Sequence, residues 1–183
     1  MGVSPSKTSK GVIVVCEESY AFPYIAPLTF TEQEKTLIER TWRSGGRDFV
    51  RLFLLTVMTG RPKMKKYFRL PEISDEELPE TKLFQTHIGN FNGVIGAITG
   101  GLIRPDLIKK KAHTMGKRHR SFEEVVLSPE NWQIMITSLT DALKQFFSTD
   151  SELTEIQKAW GKLMLHFFSE FHWAYYATDI IVS

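Results

Sequence analysis

Five histidines are the residues of this chain best suited to metal chemistry: His87, His113, His119, His166 and His172. A neutral imidazole offers a lone pair to a transition metal, and its second nitrogen can be fixed by a hydrogen bond. Most histidines in helical proteins only pack or meet water, so position must separate them. His119 closes the series Ile108, Ala112, Met115, His119 at spacings of four, three and four. Those spacings lay all four on one helical face. Lys117, Arg118 and Arg120 flank the imidazole. Apolar surroundings and neighbouring cations both favour the uncharged ring, the form a metal binds. The same pattern also fits a buried histidine bonded to a carbonyl.

His87 is followed on its own helical face by Asn90, Phe91 and Val94. That mixture of polar and apolar groups suits a pocket wall, and equally a histidine bordering a core stripe. His113 is rotated about 240° from His119 on an ideal helix. His166 and His172 fall off the stripe Ile156, Trp160, Leu163, Phe167, Phe171. These three are expected at a surface or an interface. No His-Glu-x-x-His segment occurs and Cys16 is the single cysteine, which argues against a zinc site and rules out an intrachain disulfide.

The elements that must hold these histidines read as helices. Thr31-Glu-Gln-Glu34 is a capping box that opens a first helix, which Gly45-Gly46 is expected to end. A second helix is predicted over 47–59, with Phe49, Val50, Phe53, Leu54 and Val57 inward. Pro62 starts a short turn reaching Phe68. Residues 71–80 are acidic with a proline at either end, and predict a loop or single turn. A long helix follows over 81–100, another from Pro105 to about Arg120, and two more over 129–147 and 153–176. Ser128 is expected to cap the first of that last pair, and Ser151 or Thr149 the second. The fold class is therefore all-α. Residues 1–28, broken by Pro5, Pro23 and Pro27, form an N-terminal extension that packs partly through Val12–Val15 and Phe22–Ile25. Residues 29–178 make one helical domain, and 179–183 a C-terminal tail.

Composition narrows the function. Hydrophobic residues are 42% of the 183, enough for one sizeable core. A net charge of +2 gives no footprint for nucleic acid. No apolar run approaches the roughly 20 residues of a membrane span, and the N-terminus has no secretory signal. A soluble cytoplasmic protein is expected. Charge is uneven: residues 104–120 hold Arg104, Lys109, Lys110, Lys111, Lys117, Arg118 and Arg120 against the single acid Asp106, whereas 72–80 hold Glu72, Asp75, Glu76, Glu77 and Glu80. The basic segment suits an anionic group, an acidic partner protein or an anionic membrane, and also an ordinary solvated face. Met1-Gly2 with Ser6 and Lys7 fits a myristoylation pattern, which would give weak, reversible membrane association.

Taken in order, these segments resemble the globin family over residues 29–177. The carriers are Arg40-Thr-Trp-Arg closing the first helix, Pro62 six residues before Phe68, Thr86-His87-Ile88, Met115-Gly-Lys-Arg-His119-Arg, Leu127-Ser-Pro-Glu-Asn-Trp132 and Ile156-Gln-Lys-Ala-Trp160. The 32 residues from His87 to His119 are similar to the neuroglobin-like branch, and the long arm to invertebrate, nematode-type members. The resemblance implies a three-on-three helical sandwich holding haem b, iron protoporphyrin IX. It makes His119 the proximal ligand and His87 the distal histidine. It puts Phe68 against the porphyrin, Leu54 and Phe91 on the distal side, Val94 on the same helix, and Met115 and Leu127 on the proximal side.

Phe91 departs from the smaller aliphatic residue common there, and Leu54 has no hydroxyl for bound oxygen. Both count against simple storage. The expected function is a bis-histidine, six-coordinate globin in redox transfer or oxygen sensing, with oxygen or another diatomic gas as ligand and a redox protein as partner. The alternatives are a reversible oxygen carrier with an open sixth position and a haem enzyme acting on nitric oxide or nitrite. An interaction module that has lost haem is disfavoured by His87, His119 and Phe68 together.

Overall fold

In a computed structural model of the chain, the structure describes residues 12–15, 29–122 and 128–181. Six α-helices carry the fold: α1 (Glu32–Met58), α2 (Pro62–Tyr67), α3 (Lys82–Gly100), α4 (Pro105–His119), α5 (Pro129–Phe146) and α6 (Leu153–Tyr176). A 3₁₀ turn at Leu78–Glu80 lies inside the acidic connection. Two short strands, β1 (Val12–Val15) and β2 (Thr178–Ile181), pair antiparallel, with Val12 opposite Ile181 and Val15 opposite Thr178. All but Asp179 of these eight residues are β-branched, which suits extended backbone. The arm is thus joined to the chain's far end by backbone pairing.

The helix starts follow local chemistry. The Thr31 hydroxyl accepts the Glu34 amide at 3.1 Å while the Thr31 amide donates to the Glu34 carboxylate at 2.8 Å, closing the capping box. Ser128 accepts the Asn131 amide at 3.3 Å. Gly45-Gly46 does not end α1. The helix runs on through a kink at Gly46, whose φ of 45° is a left-handed value glycine adopts without penalty. The cap expected of Ser151 or Thr149 is not made. Asp150 takes the Glu152 amide at 2.9 Å instead, and Arg40 of α1 holds both Asp150 and Glu152.

Helix α1 packs against α3, α5 and α6, and α4 lies along α6. Trp160 of α6 is fully buried, with its ring 5.6 Å from that of Phe49. Its indole N–H donates to the Thr41 hydroxyl at 2.7 Å, and that hydroxyl donates to the Leu37 carbonyl at 2.7 Å. One hydroxyl therefore satisfies the polar atom of the largest core side chain. The acidic connection is pinned too: Lys65 is 7% exposed, reaches Asp75 at 2.6 Å and donates to the Ile73 carbonyl at 2.7 Å. The Lys65 ammonium, and then the Gly60 amide, hold the Asp75 carboxyl below its ordinary pKa.

Thr41→Val keeps the shape but leaves the buried indole N–H without an acceptor. Such a group costs about 1–3 kcal/mol, so the melting temperature is expected to fall by several degrees. An unchanged melting temperature would show that the bond contributes nothing.

Candidate functional site

His119 is the last residue of α4 and is half-buried. Its Nδ1 lies 2.9 Å from the Met115 carbonyl. A carbonyl only accepts, so Nδ1 carries the proton and Nε2 keeps its lone pair. Phe122 and Phe171 meet the ring edge-on at 5.2 and 5.0 Å. Burial lowers the His119 pKa, with the Arg118 charge acting in the same direction and the bond to Met115 opposing them. The imidazole is neutral, oriented and presents a nitrogen donor. Those are the properties that a single protein ligand to haem iron requires.

What places this imidazole is the crossing of α4 and α6. A Cβ on Gly116 would lie 2.3 Å from the Phe171 carbonyl oxygen and 2.9 Å from the Ala174 Cβ. Only a hydrogen fits there. Arg120 then donates from Nε and Nη2 to the Ala174 carbonyl at 3.1 and 2.6 Å, tying the end of α4 to α6. His119 sits between these two ties.

His87 lies on α3 and is also half-buried. Its Nε2 is 2.9 Å from the Phe68 carbonyl, so here Nε2 carries the proton and Nδ1 the lone pair. The Phe68 ring stands perpendicular to the imidazole, with centroids 5.2 Å apart. Phe91 is 6.0 Å from Phe68 and 6.2 Å from Phe53, which is fully buried. Burial lowers the His87 pKa, the Phe68 bond opposes, and the Arg69 charge lowers it further. Arg69 has a φ of 61°, unusual for a residue with a side chain, and its guanidinium lies 5.6 Å from the centre of the Phe122 ring. Contacts therefore run from His87 through Phe68, Arg69 and Phe122 to His119.

The structure groups His87 with Phe68 and Phe91, and His119 with Met115. Leu54 is fully buried in the core, and Val94 packs at its edge. Leu127, Cys16 and Gly2 lie outside the described residues. Sequence reasoning missed Gly116, Phe122, Phe171, Phe53 and Arg69 as supports of the two histidines. Phe53 and Phe171 were legible only as core positions. His166 and His172 are not at the surface: they are 7% and 4% exposed, because α6 is covered by α1, α4 and α5. His172 accepts the Trp132 indole N–H at 3.1 Å, a buried structural bond. His113 bonds Glu170 at 2.6 Å and stacks on Trp173. Among the described residues no three His, Cys, Asp or Glu side chains gather as a metal cluster.

The Globin family model matches residues 51–171. The chain is a globin. Its fold is similar to that of a globin-like protein, Glb-12, from C. elegans, at a TM-score of 0.65 with 17% identity over 80% of this chain and 88% of that one. It is also similar to a globin of Drosophila melanogaster, at a TM-score of 0.66 with 19% identity over 78% of this chain and 93% of the other. No curated sequence matches it significantly. The all-α class read from the residues and the globin fold that the resemblance implied are both observed. Membership implies a haem cofactor and the binding of diatomic gases such as oxygen.

Gly116→Ala is expected to cost about 1–3 kcal/mol through overpacking, and to weaken haem retention, because α4 must move off α6. Gly161→Ala, at a helical position with open space around it, should leave haem retention unchanged and raise stability by up to about 1 kcal/mol through helix propensity. Equal behaviour of the two variants would show that the crossing is not tight. The depressed histidines also set a pH dependence. As pH falls through the ordinary histidine value of about 6.5, the unfolded globin takes up protons before His87, His119 and His166 of the folded one. Stability is therefore full above that value and lost as pH drops below it. Chemical denaturation of the haem-free protein at pH values of about 7.5, 6.5 and 5.5, spanning that range, reads this directly, and a flat profile would refute it.

Proposed function

We propose that this globin holds haem b between His119 and His87, with a bis-histidine iron at rest, and that it serves redox transfer or oxygen sensing in the cytoplasm rather than bulk storage. Haem supplies an iron with two axial positions that can change oxidation state or take a diatomic gas. His119 is the better supported of the two ligands, by its neutral ring, its Met115 bond and its fixed place against α6.

The observation that carries the six-coordinate reading is the packing of His87 against Phe68, with Phe91 and Phe53 beside it. Three aromatic rings leave little room for a gas molecule, and neither Leu54 nor Phe91 can donate a hydrogen bond to one. A tethered imidazole is present at high effective concentration, and a gas must compete with it. Apparent gas affinity then falls by the fraction of molecules whose sixth position is open. A site of that kind favours electron exchange with a redox protein over storage.

The second reading, a reversible oxygen carrier, is favoured by the bond from His87 Nε2 to the Phe68 carbonyl. While that bond stands, the nitrogen is not available to iron. The magnitude of that bond still leaves room for the first reading. A hydrogen bond of this type contributes about 0.5–1.5 kcal/mol net, so it orients a resting imidazole without locking it away.

The absorption spectrum of the reduced protein without oxygen tests the proposal. Sharp low-spin bands are expected, and His87→Leu should convert them to a broad five-coordinate spectrum. A five-coordinate spectrum in the unaltered protein would overturn the bis-histidine reading and favour the carrier.

A further inference from the structure

Apart from the charge of Arg118, the outer face of α4 takes no part in the site above, yet its composition is unusual. Ile108, Ala112 and Gly116 are buried on the inner face. Leu107, Lys110, Lys111, Thr114, Lys117 and Arg118 follow at helical spacing on the opposite face, and all but the half-buried Lys111 are exposed. This stripe is roughly 16 Å long at the helical rise. It holds no acid. Asp106, the acid of α4, pairs with Arg104 at 3.4 Å, and Glu170 of α6 pairs with Lys109 and His113 beside the stripe.

Apolar groups stand among these cations. Among the described residues, the exposed large apolar side chains are Leu83, Ile103, Leu107 and Trp173. Three of the four border α4. Ile103, in the turn before the helix, is 73% exposed, and Leu107, at the start of the stripe one turn before Lys110 and Lys111, is 39% exposed. Trp173 is 40% exposed and stacks on His113 of α4, with ring centres 4.8 Å apart.

We propose that the outer face of α4 is a docking surface for an anionic lipid bilayer. Lysines attract the headgroups and can extend their stems along apolar surface. Ile103 and Leu107 would enter the boundary between headgroups and acyl chains, and Trp173 would sit at that level, where indoles are favoured. An acidic protein would also cover these groups, but cations alternating with apolar side chains along one helix, with an indole at its edge, are the composition of a helix lying in a membrane interface. No helix among the described residues is long and apolar enough to cross a membrane, so the contact is peripheral. The inference needs no lipid on Gly2 and stands whether or not His87 binds iron.

Flotation of the haem-loaded protein with vesicles is the test. It should bind vesicles of about 70% phosphatidylcholine and 30% phosphatidylserine, release them as salt rises, and ignore pure phosphatidylcholine. Each lysine near an anionic surface adds about 1 kcal/mol, a factor of about five. Lys110→Glu with Lys111→Glu should therefore lower binding by at least about 25-fold, with absorption spectrum and melting temperature unchanged. Ile103→Asp should also weaken it. Lys144→Glu with Lys158→Glu makes the same change in net charge at exposed positions elsewhere and should bind nearly as well as the parent. Equal losses in the two double variants would reduce the effect to net charge and overturn the proposal. So would undiminished binding by Lys110→Glu with Lys111→Glu, or an Ile103→Asp variant that binds normally while inositol hexakisphosphate competes fully, which would mark a site for soluble polyanions.

Discussion

The position of His119 depends on the absence of one carbon atom. At Gly116 the backbones of α4 and α6 approach so closely that a Cβ would overlap the Phe171 carbonyl oxygen. Close approach lets α6 supply a ring, Phe171, to the imidazole, and a carbonyl, that of Ala174, to Arg120. Packed interiors do not deform smoothly. The crossing therefore sets where the imidazole stands, and the Met115 carbonyl sets which of its nitrogens keeps the lone pair.

On the other side, one nitrogen has two possible partners. His87 Nε2 donates to the Phe68 carbonyl in this structure. The carbonyl belongs to a corner that is held unusually firmly. Lys65 is buried and bound to Asp75 and Ile73, and Arg69 takes a left-handed backbone angle while its guanidinium reaches Phe122. A left-handed residue with a side chain costs roughly 1–2 kcal/mol, so the surrounding contacts must outweigh it. Because Phe122 also touches His119, this corner meets both candidate ligands. A change in its conformation would reach either of them.

Much of this was legible in the residues. The stripe ending at His119 follows from spacing alone, as do the capping box of α1 and the prolines that open α2, α4 and α5. Signals that act within one helix can be read from one helix. Gly116 could not be read that way, because its reason lies on α6. The same holds for Arg69 and Phe122, which are far apart in sequence and meet only in the fold. His166 and His172 were misplaced for a related reason: a single stripe gives one buried face, whereas α6 is covered on three sides. At Gly45-Gly46 the local signal was real, but tertiary packing turned a helix end into a kink.

Helix α4 has to meet two opposite demands. Its inner face needs small and apolar residues so that it can lie on α6 and keep His119 neutral. Its outer face carries lysines whose stems reach into water. The cations do not simply cancel the inner chemistry; they reinforce it, since Arg118 disfavours a proton on the adjacent His119. An anionic surface brought against the outer face would offset part of that positive field. The inner ring would then feel less of it, with no movement of the helix. Burial remains the larger influence on His119, so docking would adjust the site without undoing it.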